Sequence, residues 1–157
     1  MARTPAIAAV EQAGIEFTLH EYEHDPTAES YGLEAAERLG LDPASVFKTL
    51  VVDVDGKLAV AIVPVAAQVD LRSFGKRVAM ADGAKAESAT GYVLGGISPL
   101  GTRRPLPVVV DASASAWSTI HVSAGRRGLE IELAATDLVR LTSGRLAPIA
   151  RGGSRPA

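Results

Sequence analysis

The chain has 157 residues and a formal net charge of −2. That length fits one domain able to bury roughly 70% of the surface its unfolded form exposes, so folding requires no metal or disulfide staple. Hydrophobic residues make up 47%, aromatic residues 4%, and cysteine is absent, which excludes a disordered segment, a disulfide scaffold, a thiolate metal site and a protein-borne thiol nucleophile. Nothing in the opening Met1-Ala2-Arg3-Thr4-Pro5 resembles a signal peptide, and no apolar run approaches the ~20 residues of a membrane span. The cytoplasm is therefore the expected compartment, with no membrane role. The charge also argues against tight nucleic-acid binding by bulk electrostatics, and no DNA partner is expected. Basic residues cluster only locally, at Lys76-Arg77, Arg103-Arg104 and Arg126-Arg127.

In chain order, Thr4-Pro5 reads as a helix N-cap with proline at the first position, and Gly14 as the stop. Residues 15–22 alternate as a strand until His24-Asp25-Pro26 breaks it. A second helix is expected over 33–39, closed by Gly40, and Asp42-Pro43 starts another short turn. Residues 49–54 and 57–63 are β-rich and joined by Asp55-Gly56, a strong hairpin signal. Residues 81–89 are expected to be helical, with Gly91 beyond their end. Strands follow over 107–111, 119–123 and 129–133, the last two joined by an Arg126-Arg127-Gly128 turn. Residues 136–141 suit strand and helix equally. Residues 1–150 form one domain in this reading, and 151–157 a loose tail. The fold class is α+β, with a mixed, strongly curved, barrel-like sheet and helices packed outside it.

Two places could carry chemistry. If Lys48 begins its strand, it shares a face with Leu50, Val52 and Val54. An ammonium group there is paired, aimed into a pocket, or laid along the surface with its tip in water. The run from Gly95 through Gly96, Ile97, Ser98, Pro99 and Leu100 to Gly101 holds three glycines and a proline. It is either a plain tight turn or a loop presenting backbone amides to a carbonyl oxygen or phosphate. No Gly-Lys-Ser/Thr closes it as a Walker loop. His20, His24 and His121 lack metal-ligand spacing, so no metal and no cofactor are expected. With no nucleophilic serine elbow either, a hydrolase built from this chain would draw its nucleophile from water or from the substrate.

Tyr22-Glu23-His24-Asp25-Pro26, Val46-Phe47-Lys48-Thr49-Leu50, Met80-Ala81-Asp82, Thr90-Gly91-Tyr92 with the Gly95–Gly101 run, and Arg127-Gly128-Leu129-Glu130-Ile131 together resemble the YbaK/EbsC family. More narrowly, they are similar to its Cys-tRNA(Pro) deacylase branch. The resemblance runs in order from about Thr4 to Ala150. It implies a barrel-like mixed sheet, a hydrolase that clears cysteine from mischarged proline tRNA, and two partners: the 3′ end of aminoacylated tRNA, and prolyl-tRNA synthetase. It also implies catalytic roles for Lys48, Gly95 and Gly96, and substrate contacts from Tyr22, Thr49, Ile97, Ser98, Pro99, Gly101, Ser123 and Glu130. Glu130 stands where the family has aspartate, one methylene shorter. The resemblance further implies attack by the substrate's own cysteine thiol, with Lys48 stabilising the oxyanion or gripping a tRNA phosphate. Two alternatives stay open: a sister deacylase for alanyl-tRNA or another small-residue tRNA, and a non-catalytic module that binds tRNA or a synthetase.

Overall fold

A computed structural model of the chain describes residues 3–27 and 31–152. Helix α1 (Pro5–Ala13) starts where the sequence puts it: Thr4 accepts from the Ile7 amide at 3.2 Å, and Gly14 ends the helix at φ +67. Strand β1 (Phe17–Glu21) and helix α2 (Tyr31–Leu39) follow. Asp42 then caps a short 3-10 turn, Pro43–Ser45. Strands β2 (Phe47–Val54) and β3 (Lys57–Pro64) pair antiparallel through Asp55-Gly56, both at positive φ, as a two-residue hairpin turn requires. Next come β4 (Gln68–Val69), β5 (Val78–Met80), α3 (Gly83–Thr90), β6 (Val108–Asp111), β7 (Ile120–Arg126) and β8 (Leu129–Leu133). Residues undecided between strand and helix form α4 (Ala135–Thr142). The chain then runs through β9 (Arg145–Ala147) and β10 (Ala150–Arg151). Arg151 pairs with Gln68, and residues 153–157, the rest of the stretch expected to form a tail, lie outside the described part.

The architecture is mixed α+β, and no closed barrel is found among the described residues. The strands divide into three sheets, ordered β5-β2-β3-β6-β9, β1-β8-β7 and β10-β4. The first two meet at one isolated parallel bridge, Val46 to His121. Val46 turns its own backbone groups away from that bridge, its N–H to the Pro43 carbonyl and its carbonyl to the Val65 amide.

The β1-β8-β7 sheet alternates strictly. Leu19, Ile131 and Val122 face the main core, which also takes in α1, Phe47, Val60 and Leu138. The opposite face carries the polar residues: His20 lies opposite Glu130, Ser123 opposite Glu130, and His121 opposite Glu132. Between Ser123 and Arg126 the β7–β8 register shifts, and Gly125 there sits at φ +107. A Cβ on Gly125 would come within 2.7 Å of the Tyr92 ring, so this close approach admits only glycine.

Candidate active site

The polar end of that sheet, the first residues of β2, the β5–α3 junction and the glycine-rich run enclose a cavity of about 370 Å³. Its lining brings together Tyr22, Lys48, Thr49, Gly95, Ile97, Ser123 and Glu130. Gly96, Ser98, Pro99 and Gly101 fall outside the lining.

Lys48 is half-buried, and burial alone pulls its pKa below the usual lysine value. No described residue forms an ion pair or hydrogen bond with its ammonium. Glu130 is 7% exposed, and burial pushes its carboxyl up to about 8. Burial thus favours the neutral form of the carboxyl on the pocket floor. Tyr22 beside it is raised too, first by burial and then by the Glu130 charge. Thr49 contributes a buried hydroxyl with no hydrogen-bond partner. The Ser123 hydroxyl is held on both sides: it donates to the Gly96 carbonyl at 3.3 Å and accepts from the Gly125 amide at 3.1 Å. A hydroxyl fixed in this way, with no histidine in the lining, is not an activated nucleophile.

The glycine-rich run divides in two. Gly95, at φ +89, has an N–H that no described residue accepts. The Gly96 N–H is taken by the Val93 carbonyl at 2.9 Å, and a Cβ on Gly96 would lie 2.9 Å from the Arg126 backbone. Ser98 is fully buried and accepts from the Leu100 amide, whose carbonyl in turn accepts from Tyr92 at 2.6 Å. Gly101 packs on the start of α1, where a Cβ would stand 2.5 Å from the Pro5 carbonyl oxygen. So Gly95 and Ile97 present the loop to the cavity, while residues 98–101 anchor it from behind.

Residue types alone did not single out the lining positions Gly32, Met80 and Leu94, and they marked Arg126-Arg127 only as a local basic pair. Gly32 lets α2 pack directly on Val65, since a Cβ there would meet the Val65 side chain at 2.3 Å. Arg127 donates to His24 Nε2 at 3.0 Å, and His24 Nδ1 lies 2.7 Å from Glu34. An arginine always donates, so Nε2 carries the lone pair and Nδ1–H points at the carboxylate. Burial works against the Glu34 charge, but bonds from His24 and the Asp25 amide outweigh it and leave its pKa lowered. The Arg127-Gly128-Leu129-Glu130 motif was the signal that could have put Arg127 in the site.

This fold and pocket have relatives. Residues 25–141 match the aminoacyl-tRNA editing domain family. The chain belongs to that family. It is 37% identical over 157 residues to EbsC of Enterococcus faecalis (strain ATCC 700802 / V583), assigned by name as a Cys-tRNA(Pro)/Cys-tRNA(Cys) deacylase, covering 94% of this chain and 93% of that protein. Among solved structures, a protein assigned as a trans-editing enzyme for prolyl-tRNA synthetase superposes with a TM-score of 0.82 at 22% identity, covering 94% of this chain and 96% of that one. A hypothetical protein superposes with a TM-score of 0.83 at 22% identity, covering 94% and 100%. Among the described residues, no helix is long and apolar enough to cross a membrane.

Proposed function

We propose that this protein is a trans-editing hydrolase that removes cysteine from mischarged proline tRNA. The observation carrying the reading is a cavity with a cation, a free amide and a polar floor but no activated nucleophile of its own. A cysteinyl ester supplies what is missing. Its thiol lies a few bonds from the ester carbonyl, and effective molarities for well-oriented groups reach ~10⁵ M or more. The sulfur bonds to the carbonyl carbon, the bond to the ribose oxygen breaks, and the thiol proton ends on that oxygen. The leaving tRNA is intact, and the amino acid departs as a cyclic thioester that water opens.

Lys48 and the Gly95 N–H are the groups to stabilise the oxyanion that forms on the way. Arg126 and Arg127 stand at the same cavity and suit the phosphates of the tRNA 3′ end, which leaves Lys48 for the carbonyl. Glu130, Tyr22 and Thr49 border the amino acid, and Ile97 gives it an apolar wall. Ser98, Pro99 and Gly101 serve the substrate indirectly in this reading, by holding the loop, and Gly96 does so through its contact with Ser123. The EbsC relative carries both proline and cysteine tRNA in its name, which fits a site that reads the thiol more than the tRNA body. With a net charge of −2, the protein binds free tRNA weakly, and prolyl-tRNA synthetase as a partner raises the affinity.

The test is single-turnover deacylation of tRNA carrying cysteine, S-methylcysteine, serine or alanine. Only the cysteinyl ester should be cleaved quickly. Release of S-methylcysteine at an undiminished rate would mean that water or a protein group attacks. Equally fast release of alanine would favour a general small-residue deacylase.

A further inference from the structure

The polar face of β1-β8-β7 continues beyond the cavity. One step along β8 from Glu130, the Glu132 carboxylate stands between two imidazoles from the flanking strands. Its Oε1 is 2.8 Å from His20 Nε2 and 3.6 Å from His121 Nε2, and one ligand atom from each of the three residues lies within 4.8 Å of the others. None of the three lines the cavity. The other carboxylate oxygen accepts from the Thr119 hydroxyl at 2.6 Å, which fixes the plane of the carboxylate.

His121 is the unsatisfied member. It is 5% exposed, and its Nδ1 is buried with no hydrogen-bond partner. Its Nε2 is beyond hydrogen-bonding distance of Glu132. Whichever nitrogen carries the proton, Nδ1 is unmatched: a proton there lacks an acceptor, and a lone pair there lacks a donor. The Ser45 backbone lies near enough to act on the ring, although no full hydrogen bond forms.

We propose that His20, His121 and Glu132 bind a divalent first-row transition metal of the zinc class, at a site separate from the cavity. Two imidazoles and a carboxylate suit zinc, cobalt or nickel rather than calcium or magnesium. Tetrahedral bonds of ~2.0–2.1 Å place ligand atoms about 3.3 Å apart, and the observed 2.8 and 3.6 Å separations bracket that edge. Binding through His121 Nε2 occupies that lone pair and holds the proton on Nδ1, with the Ser45 backbone near the ring. The His20 and Glu132 side chains are each 28% exposed, which leaves an entry path and an open coordination position. The ligands come from all three strands, so the ion clamps the sheet whose other end forms the cavity floor.

The experiment is calorimetric titration of chelator-treated protein with zinc chloride, with cobalt(II) absorption as a second readout. Saturation at one equivalent is expected, with a visible cobalt band that zinc abolishes. Glu132→Gln and His20→Gln should each remove the binding while circular dichroism shows a folded chain. Thr119→Val should weaken it roughly tenfold. His24→Gln, which changes the third histidine, should leave one equivalent bound. Failure to saturate, binding that survives Glu132→Gln, or binding lost with His24→Gln overturns the site. None of these outcomes depends on whether the protein deacylates tRNA.

Discussion

Strand β8 carries two glutamates on one face, and they titrate in opposite directions. Burial pushes the Glu130 carboxyl up to about 8. Glu132 is held below the ordinary value by hydrogen bonds from Thr119 and His20. The difference lies in what their neighbours are already doing. Glu130 sits in register with His20 and Ser123, but His20 turns to Glu132 and the Ser123 hydroxyl is bonded to Gly96. The pocket end of the sheet is thus left with unpaired polar groups in a low-dielectric hollow, where a substrate can engage them. At the other end, the Glu132 carboxylate is bonded by both Thr119 and His20.

If the pocket end carries the chemistry, its removal gives the largest effect. Lys48→Ala should lower single-turnover deacylation by about 10²–10³-fold with the melting temperature little changed. Lys48→Arg should fail as well, because a planar guanidinium does not replace a compact ammonium. Full activity in either variant would break the contrast between the two ends.

Glu130→Gln probes the charge state in metal-free protein. Below its ordinary pKa of 4.5, the Glu130 carboxyl is neutral in folded and unfolded chains alike, so stability is full there. Between 4.5 and about 8 the unfolded chain ionises first, and stability falls as pH rises. The loss is roughly 1.4 kcal/mol for each pH unit between the two pKa values, as an upper bound. Thermal melts at pH 5 and pH 8 should show the wild type losing stability across this window by more than the glutamine variant. Identical pH profiles would mean that Glu130 is not held neutral.

Arg126→Ala should weaken tRNA binding less than tenfold and reduce the slope of log affinity against log salt by about 0.7–0.9. An unchanged slope would remove Arg126 from the phosphate path. The smallest effect is expected at the other end of the sheet. Thr119→Val deprives Glu132 of one hydrogen bond and should cost about 1 kcal/mol of stability, with the deacylation rate unaltered. A large loss of rate would extend the working site beyond the cavity.

Local punctuation was legible in the sequence. Thr4-Pro5 with Gly14 bounds α1, and Asp55-Gly56 makes the β2–β3 hairpin, because caps and two-residue turns depend on residues that touch in sequence. The short strands β5, β9 and β10 were not legible. Each has at most three residues and exists through its partner, as Val78 does through Val54. Position within the glycine-rich run was equally hidden. Whether an amide is free there depends on Val93, Tyr92 and Pro5, and spacing alone does not reveal which glycine faces the cavity. The meeting of His20 with His121 is set by strand register across about a hundred residues, so sequence spacing gave no sign of it.

Met80 bears on how this protein meets oxidants. The chain has no cysteine and two methionines, Met1 and Met80. Met80 is 48% exposed and contributes to the cavity wall where β5 runs into α3. With no thiol, the protein offers no target to thiol-specific alkylating reagents, and the half-exposed Met80 places an oxidisable thioether at the cavity wall. A sulfoxide there would exchange an apolar surface for a polar, chiral one. Reductive repair of that one atom would restore the wall.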